Sequence, residues 1–129
     1  MKARILIVED HALNRRLLRV LLESRGHMVL EAATCEEARA GFRDAAPDLV
    51  LMDIQIPGCD GEILLREIRG DPALAGLKVI AVTASAMRGD RERFLAMGFD
   101  DYLSKPIDTR KFGPDIEAHL VEKGGGGVS

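Results

Sequence analysis

Three aliphatic runs, Ile5-Leu6-Ile7-Val8, Leu49-Val50-Leu51-Met52 and Val79-Ile80-Ala81-Val82, contain no polar residue, and each stops at a polar group of defined chemistry. A strand with one face in water alternates apolar and polar side chains. An unbroken run is instead expected where both faces are covered, as in the central strands of a parallel sheet. Two further segments, 28–32 and 101–103, complete a set of five strands with 4–8, 49–52 and 78–82.

Segments of helical period separate these strands, which is the pattern of βα units. Residues 13–24 place Leu17, Leu18, Leu21 and Leu22 on one face, and Gly26 follows as a stop. Thr34 with Glu37 three residues on is a capping box that starts a helix over 35–44. Asp60-Gly61 opens a third helix carrying Ile63, Leu64 and Ile68, closed by Gly70-Asp71-Pro72. A fourth is expected from Met87 to Met97 ahead of Gly98, and a fifth between Asp108 and Lys123. Five β-α units with right-handed crossovers make an α/β, doubly wound parallel sheet flanked by five helices. Its ligands belong at the carboxyl ends of the strands.

The chain has 129 residues, 47% of them hydrophobic, which suits one domain over 1–123. Gly124 to Gly127 make 124–129 a flexible glycine-rich tail. A net charge of -3, with basic and acidic residues mixed, offers no stripe for nucleic acid. No apolar stretch is long enough for a membrane span or signal peptide, so the expected location is cytoplasmic. Cys35 and Cys59 lie far apart in sequence with only three histidines to assist them. They are expected to be free thiols, with Cys59 inert for want of an activating base.

The strand ends carry the chemistry. Glu9-Asp10 ends the first strand, Asp53 the third and Thr83 the fourth, and the last leads through Ser104 to Lys105. Three carboxylates on one rim repel one another unless a cation is present. Mg2+ suits them because it binds through a few carboxylates and accepts phosphate oxygens as remaining ligands, and Mn2+ is an alternative. A metal beside a carboxylate, a lysine and a hydroxyl is the equipment of phosphoryl transfer. Asp53 would attack phosphorus, Lys105 would pair with a carboxylate before transfer and with the phosphoryl group after it, and Thr83 would donate a hydrogen bond. Asn14, Leu17, Pro106 and Ile107 would flank the acceptor as partner-docking contacts, although Leu17 also reads as core. Gln55 and Ser85 border the site.

These motifs, Ile-Leu-Ile-Val-Glu-Asp at 5–10, Leu-Val-Leu-Met-Asp-Ile-Gln-Ile-Pro-Gly-Cys-Asp-Gly at 49–61, Val-Thr-Ala at 82–84 and Lys-Pro-Ile at 105–107, resemble the receiver domains of two-component response regulators. The stretch 82–107 looks especially like single-domain regulators of the DivK type and the receivers of hybrid kinases. The resemblance implies a CheY-like, flavodoxin-like sheet of order 2-1-3-4-5. It implies that Glu9, Asp10, Asp53 and the Gln55 backbone carbonyl bind Mg2+. It also implies a phosphohistidine donor on a histidine kinase or phosphotransfer domain, a downstream protein effector, and a switch in which Tyr102 turns inward behind Thr83. Such a protein is a phosphoacceptor with intrinsic phosphotransfer and dephosphorylation, not a turnover enzyme. A metal-dependent phosphohydrolase would need a second acid near Asp53, which Ile54-Gln55 does not supply. A flavodoxin-like cofactor binder would need a phosphate-cradling loop after strand one, and none follows. His11 reads as a solvent-facing loop residue. Gly113-Pro114 departs from the family pattern, so the last helix either starts late or kinks.

Overall fold

The computed structural model describes residues 2–74, 76–84 and 87–128, with side chains as far as Leu120. Its elements run β1 (Arg4–Val8), α1 (Ala12–Glu23), β2 (Met28–Ala32), α2 (Cys35–Asp44), β3 (Leu49–Asp53), β4 (Gln55–Ile56), β5 (Cys59–Asp60), α3 (Gly61–Gly70), β6 (Lys78–Thr83), α4 (Asp90–Met97), β7 (Asp101–Ser104) and α5 (Phe112–Val128). The main sheet is parallel with order β2-β1-β3-β6-β7, which is 2-1-3-4-5 when its own five strands are counted. The three unbroken aliphatic runs occupy its centre, and every residue of β3 is buried.

Strand alternation divides the core in two. Ile5, Ile7, Leu49, Leu51, Ile80 and Val82 pack against Leu18 and Leu22 of α1 and Phe112 and Ile116 of α5. Leu6, Val8, Val50, Met52, Val79 and Ala81 face α2, α3 and α4 through Phe42, Leu64, Ile68 and Phe94. Covering both faces is what removes polar residues from the central strands. Among the described residues, no helix is long and apolar enough to cross a membrane.

Local chemistry sets the helix ends. The Thr34 hydroxyl accepts the Glu37 amide at 3.1 Å, and Glu37 reaches back to the Ala33 amide at 2.7 Å. Asp60 caps α3 by accepting the Glu62 amide at 2.9 Å. The fourth helix starts at Asp90, later than its sequence pattern suggests, because Gly89 sits at φ 87° in the left-handed region. Gly98, at φ 114°, ends it. In α5, Phe112 is the first helical residue, so Pro114 falls in the first turn, where its missing N–H has no partner to lose. A late start, not a kink, accommodates the proline. A Cβ on Gly113 would run into the Arg25 side chain, which is held by Glu117 through bonds of 2.9 and 2.6 Å.

Further details refine or overturn expectation. Leu17, read as either a docking contact or core, is 41% exposed and not core, and Ile63 is 50% exposed, because the buried stripes of α1 and α3 run through Leu18 and Leu22 and through Leu64, Leu65 and Ile68. A two-stranded antiparallel hairpin, β4–β5, follows Asp53 and pairs Gln55 with Asp60 and Ile56 with Cys59. The cysteines are not free thiols. Cys35 and Cys59 form a disulfide with Cα atoms 5.4 Å apart. Sequence distance concealed this, because the start of α2 and the hairpin both follow carboxyl ends of parallel strands and so meet on one rim.

Candidate functional site

Parallel strands bring Glu9, Asp53 and Lys105 together at that rim. The Lys105 ammonium donates to Glu9 Oε1 at 2.9 Å and to Asp53 Oδ2 at 2.8 Å. Alternation carried past the strand ends explains the meeting: Asp53 follows Met52 onto the α1/α5 side, and Glu9 and Lys105 have the same parity. The second oxygen of each acid is also used. Asp53 Oδ1 accepts the Gln55 amide at 2.8 Å, and Glu9 Oε2 accepts the His11 amide at 3.1 Å. Glu9 and Asp53 are almost fully buried, while Asp10 is exposed.

Burial pushes the Glu9 carboxyl above its ordinary value, and the neighbouring Asp53 adds to this against the opposing bonds from Lys105 and the His11 amide. Burial works against the Lys105 ammonium, but its bonds to Asp53 and Glu9 outweigh this and raise its pKa. Oxygens of Glu9, Asp10 and Asp53 lie within 4.8 Å of one another. Three hard oxygen donors, one open to water and one resisting its charge, fit a small divalent cation such as Mg2+.

Thr83 ends β6, one position beyond Val82, the register partner of Asp53. It is buried, and its parity matches Ala81, which pairs with Tyr102 across to β7. Thr83 and Tyr102 therefore share the face opposite to Lys105. The Tyr102 ring is partly buried against Phe94 of α4, with centroids 5.5 Å apart. Asn14, Leu17, Pro106 and Ile107 line one cleft of about 390 Å3 together with Glu9 and Lys105. Gln55 is exposed in β4, and His11 is exposed as the N-cap of α1. Ser85 lies outside the described residues.

One contributor escaped the sequence reading. Arg15 donates to the backbone carbonyls of Glu9 at 2.9 Å and Asp10 at 3.2 Å, and its Nε is anchored by Glu31 at 3.0 Å. It ties the acid pair to α1 and β2. Its place one turn into the helix after two acids was the available signal.

A doubly wound sheet with an acid cluster and a lysine at its carboxyl rim matches one signalling class throughout. The chain belongs to the family described as the response regulator receiver domain, which it matches over residues 5–116. It is similar to the polar-differentiation response regulator DivK of Brucella ovis, 40% identical over 90% of this chain and 94% of that one. A CheY-like receiver domain protein from Methanospirillum hungatei superposes with a TM-score of 0.84 at 32% identity, covering 95% of this chain and 97% of that one. The receiver domain of a signal transduction histidine kinase from Syntrophus aciditrophicus gives 0.82 at 30% identity, covering 93% and 91%. The chain is a receiver module of two-component signalling.

Proposed function

We propose that Asp53 accepts a phosphoryl group from a phosphohistidine on a histidine kinase or phosphotransfer domain. The observation that carries this is the Lys105 ammonium bonded to Asp53 and Glu9 together, with an Asp10 oxygen close to both carboxylates. An Asp53 oxygen forms the new bond to phosphorus as the phosphorus–nitrogen bond of the donor breaks, and the departing imidazole takes a proton from solvent. Lys105 holds the acceptor oriented beforehand and then follows the charge onto a phosphoryl oxygen. The Thr83 hydroxyl donates to another such oxygen. Glu9, Asp10, Asp53 and the Gln55 carbonyl would hold Mg2+, which when bound neutralises charge on the transferred group.

Output follows from the shared face of Thr83 and Tyr102. Drawing Thr83 toward the acceptor opens room behind it, and Tyr102 moves into that room, altering the surface of α4, β7 and α5 read by an effector protein. Asn14, Leu17, Pro106 and Ile107 form the cleft on which the phosphodonor docks. In a histidine kinase that carries its own receiver domain, as the Syntrophus relative's does, the same chemistry would serve an internal relay.

The test is incubation with a small acyl phosphate, with and without Mg2+, followed by intact-mass measurement. One phosphoryl group per chain is expected on the wild type with Mg2+, and none on Asp53→Asn. Labelling that survives the substitution or removal of the metal, or sustained turnover without a labelled protein, overturns the reading.

A further inference from the structure

The Cys35–Cys59 bond lies on the acceptor's own support. Cys35 is the first residue of α2, and Cys59 pairs with Ile56 in the hairpin that begins at Gln55. The Gln55 amide holds Asp53 Oδ1 at 2.8 Å. Each hairpin strand has only two residues, so its own ladder gives it little independent stability. The disulfide supplies the covalent tie between this hairpin and α2. Both cysteines are only partly buried and line a cleft of about 670 Å3 with Arg39, Ile54 and Ile63, so a small thiol can reach them.

We propose that Cys35–Cys59 is a reversible redox modification site whose state sets how firmly the β4–β5 hairpin and its Gln55 amide are held against Asp53. The partner is a dithiol, or two monothiols such as glutathione. A thiolate attacks one cysteine sulfur, the protein S–S bond breaks through a mixed disulfide, and a second thiolate releases it. Two electrons and two protons pass to Cys35 and Cys59, and the reductant leaves as its own disulfide. Solvent access and coupling to an adjacent site are the properties of regulatory disulfides rather than of inert staples.

The effect on phosphoryl chemistry rests on Asp53 as acceptor, while the effect on the hairpin does not. The test therefore reads both, on the full chain equilibrated in reduced or oxidised glutathione, alkylated and weighed. Interconversion of two thiols with one disulfide is expected in both directions. Amide hydrogen exchange over residues 54–60 should be about tenfold faster in the reduced form, and phosphoryl lifetime after acyl-phosphate labelling should differ between the forms. The double variant Cys35→Ser with Cys59→Ser should match the reduced wild type and ignore glutathione. A bond that never forms, or hairpin exchange identical in both forms, overturns the proposal. Redox-dependent exchange with no label on Asp53 in either form would instead sustain the modification site and overturn the acceptor reading.

Discussion

Lys105 is a single cation satisfying two carboxylates that are each almost out of water. Removing one partner from such a group leaves uncompensated buried charge, which costs more than the pair contributes when intact. Lys105→Ala is expected to destabilise the metal-free protein by about 3 kcal/mol, read from urea unfolding. Added Mg2+ should recover more stability in this variant than in wild type, because three carboxylates without their lysine attract a cation more strongly. Equal metal effects in the two proteins would count against a shared site for cation and ammonium. Asp53 was legible at this scale as an acid ending an unbroken aliphatic strand. Arg15 was harder to read, because a basic residue one turn into a helix is common and its bonds here go to main-chain carbonyls, which side-chain pattern does not specify.

At the scale of elements, α5 is tied to β7 by His119 on Asp101 at 2.9 Å and to the end of α1 by a larger polar cluster. His27 Nδ1 accepts the Ala3 amide at 3.2 Å, which leaves Nε2 as the N–H that donates to Glu117 at 2.8 Å. Arg25 completes the cluster and lowers the Glu117 carboxyl from 4.5 to about 2, against the opposing effect of burial and with further help from His27. A carboxyl depressed on folding contributes stability that is fully present above its unfolded value and lost as pH falls toward its folded one. Wild type should therefore exceed Glu117→Gln in stability near neutral pH, with the gap closing as pH falls from 4.5 toward about 2. A gap independent of pH in paired urea titrations would refute this. The capping box, Asp60 and Gly98 made helix limits readable from sequence. The start of α4 and the hairpin escaped, since a left-handed glycine and two-residue strands have no period to detect.

For the whole molecule, the order of strands and the disulfide close the fold at the same rim that holds the site. The bond joins residues 24 positions apart in sequence, and constraining such a loop in the unfolded chain is worth about 3 kcal/mol. Oxidised protein should be more stable than reduced by about that amount in denaturant titrations, and no difference would mean that the reduced chain is equally constrained. The sequence by itself determined the class of fold, the central strands, and the acids and lysine that gather at one rim. Those depend on local period and on apolar runs that tolerate no charge until the strand leaves the core. Only the tertiary structure decided that Cys35 meets Cys59, that Leu17 faces outward into a cleft with Pro106 and Ile107 instead of packing in the core, and that Thr83 shares a sheet face with Tyr102 and not with Lys105. Each of these depends on register and crossover between elements distant in sequence, where proximity is set by how the sheet is wound and not by any spacing along the chain.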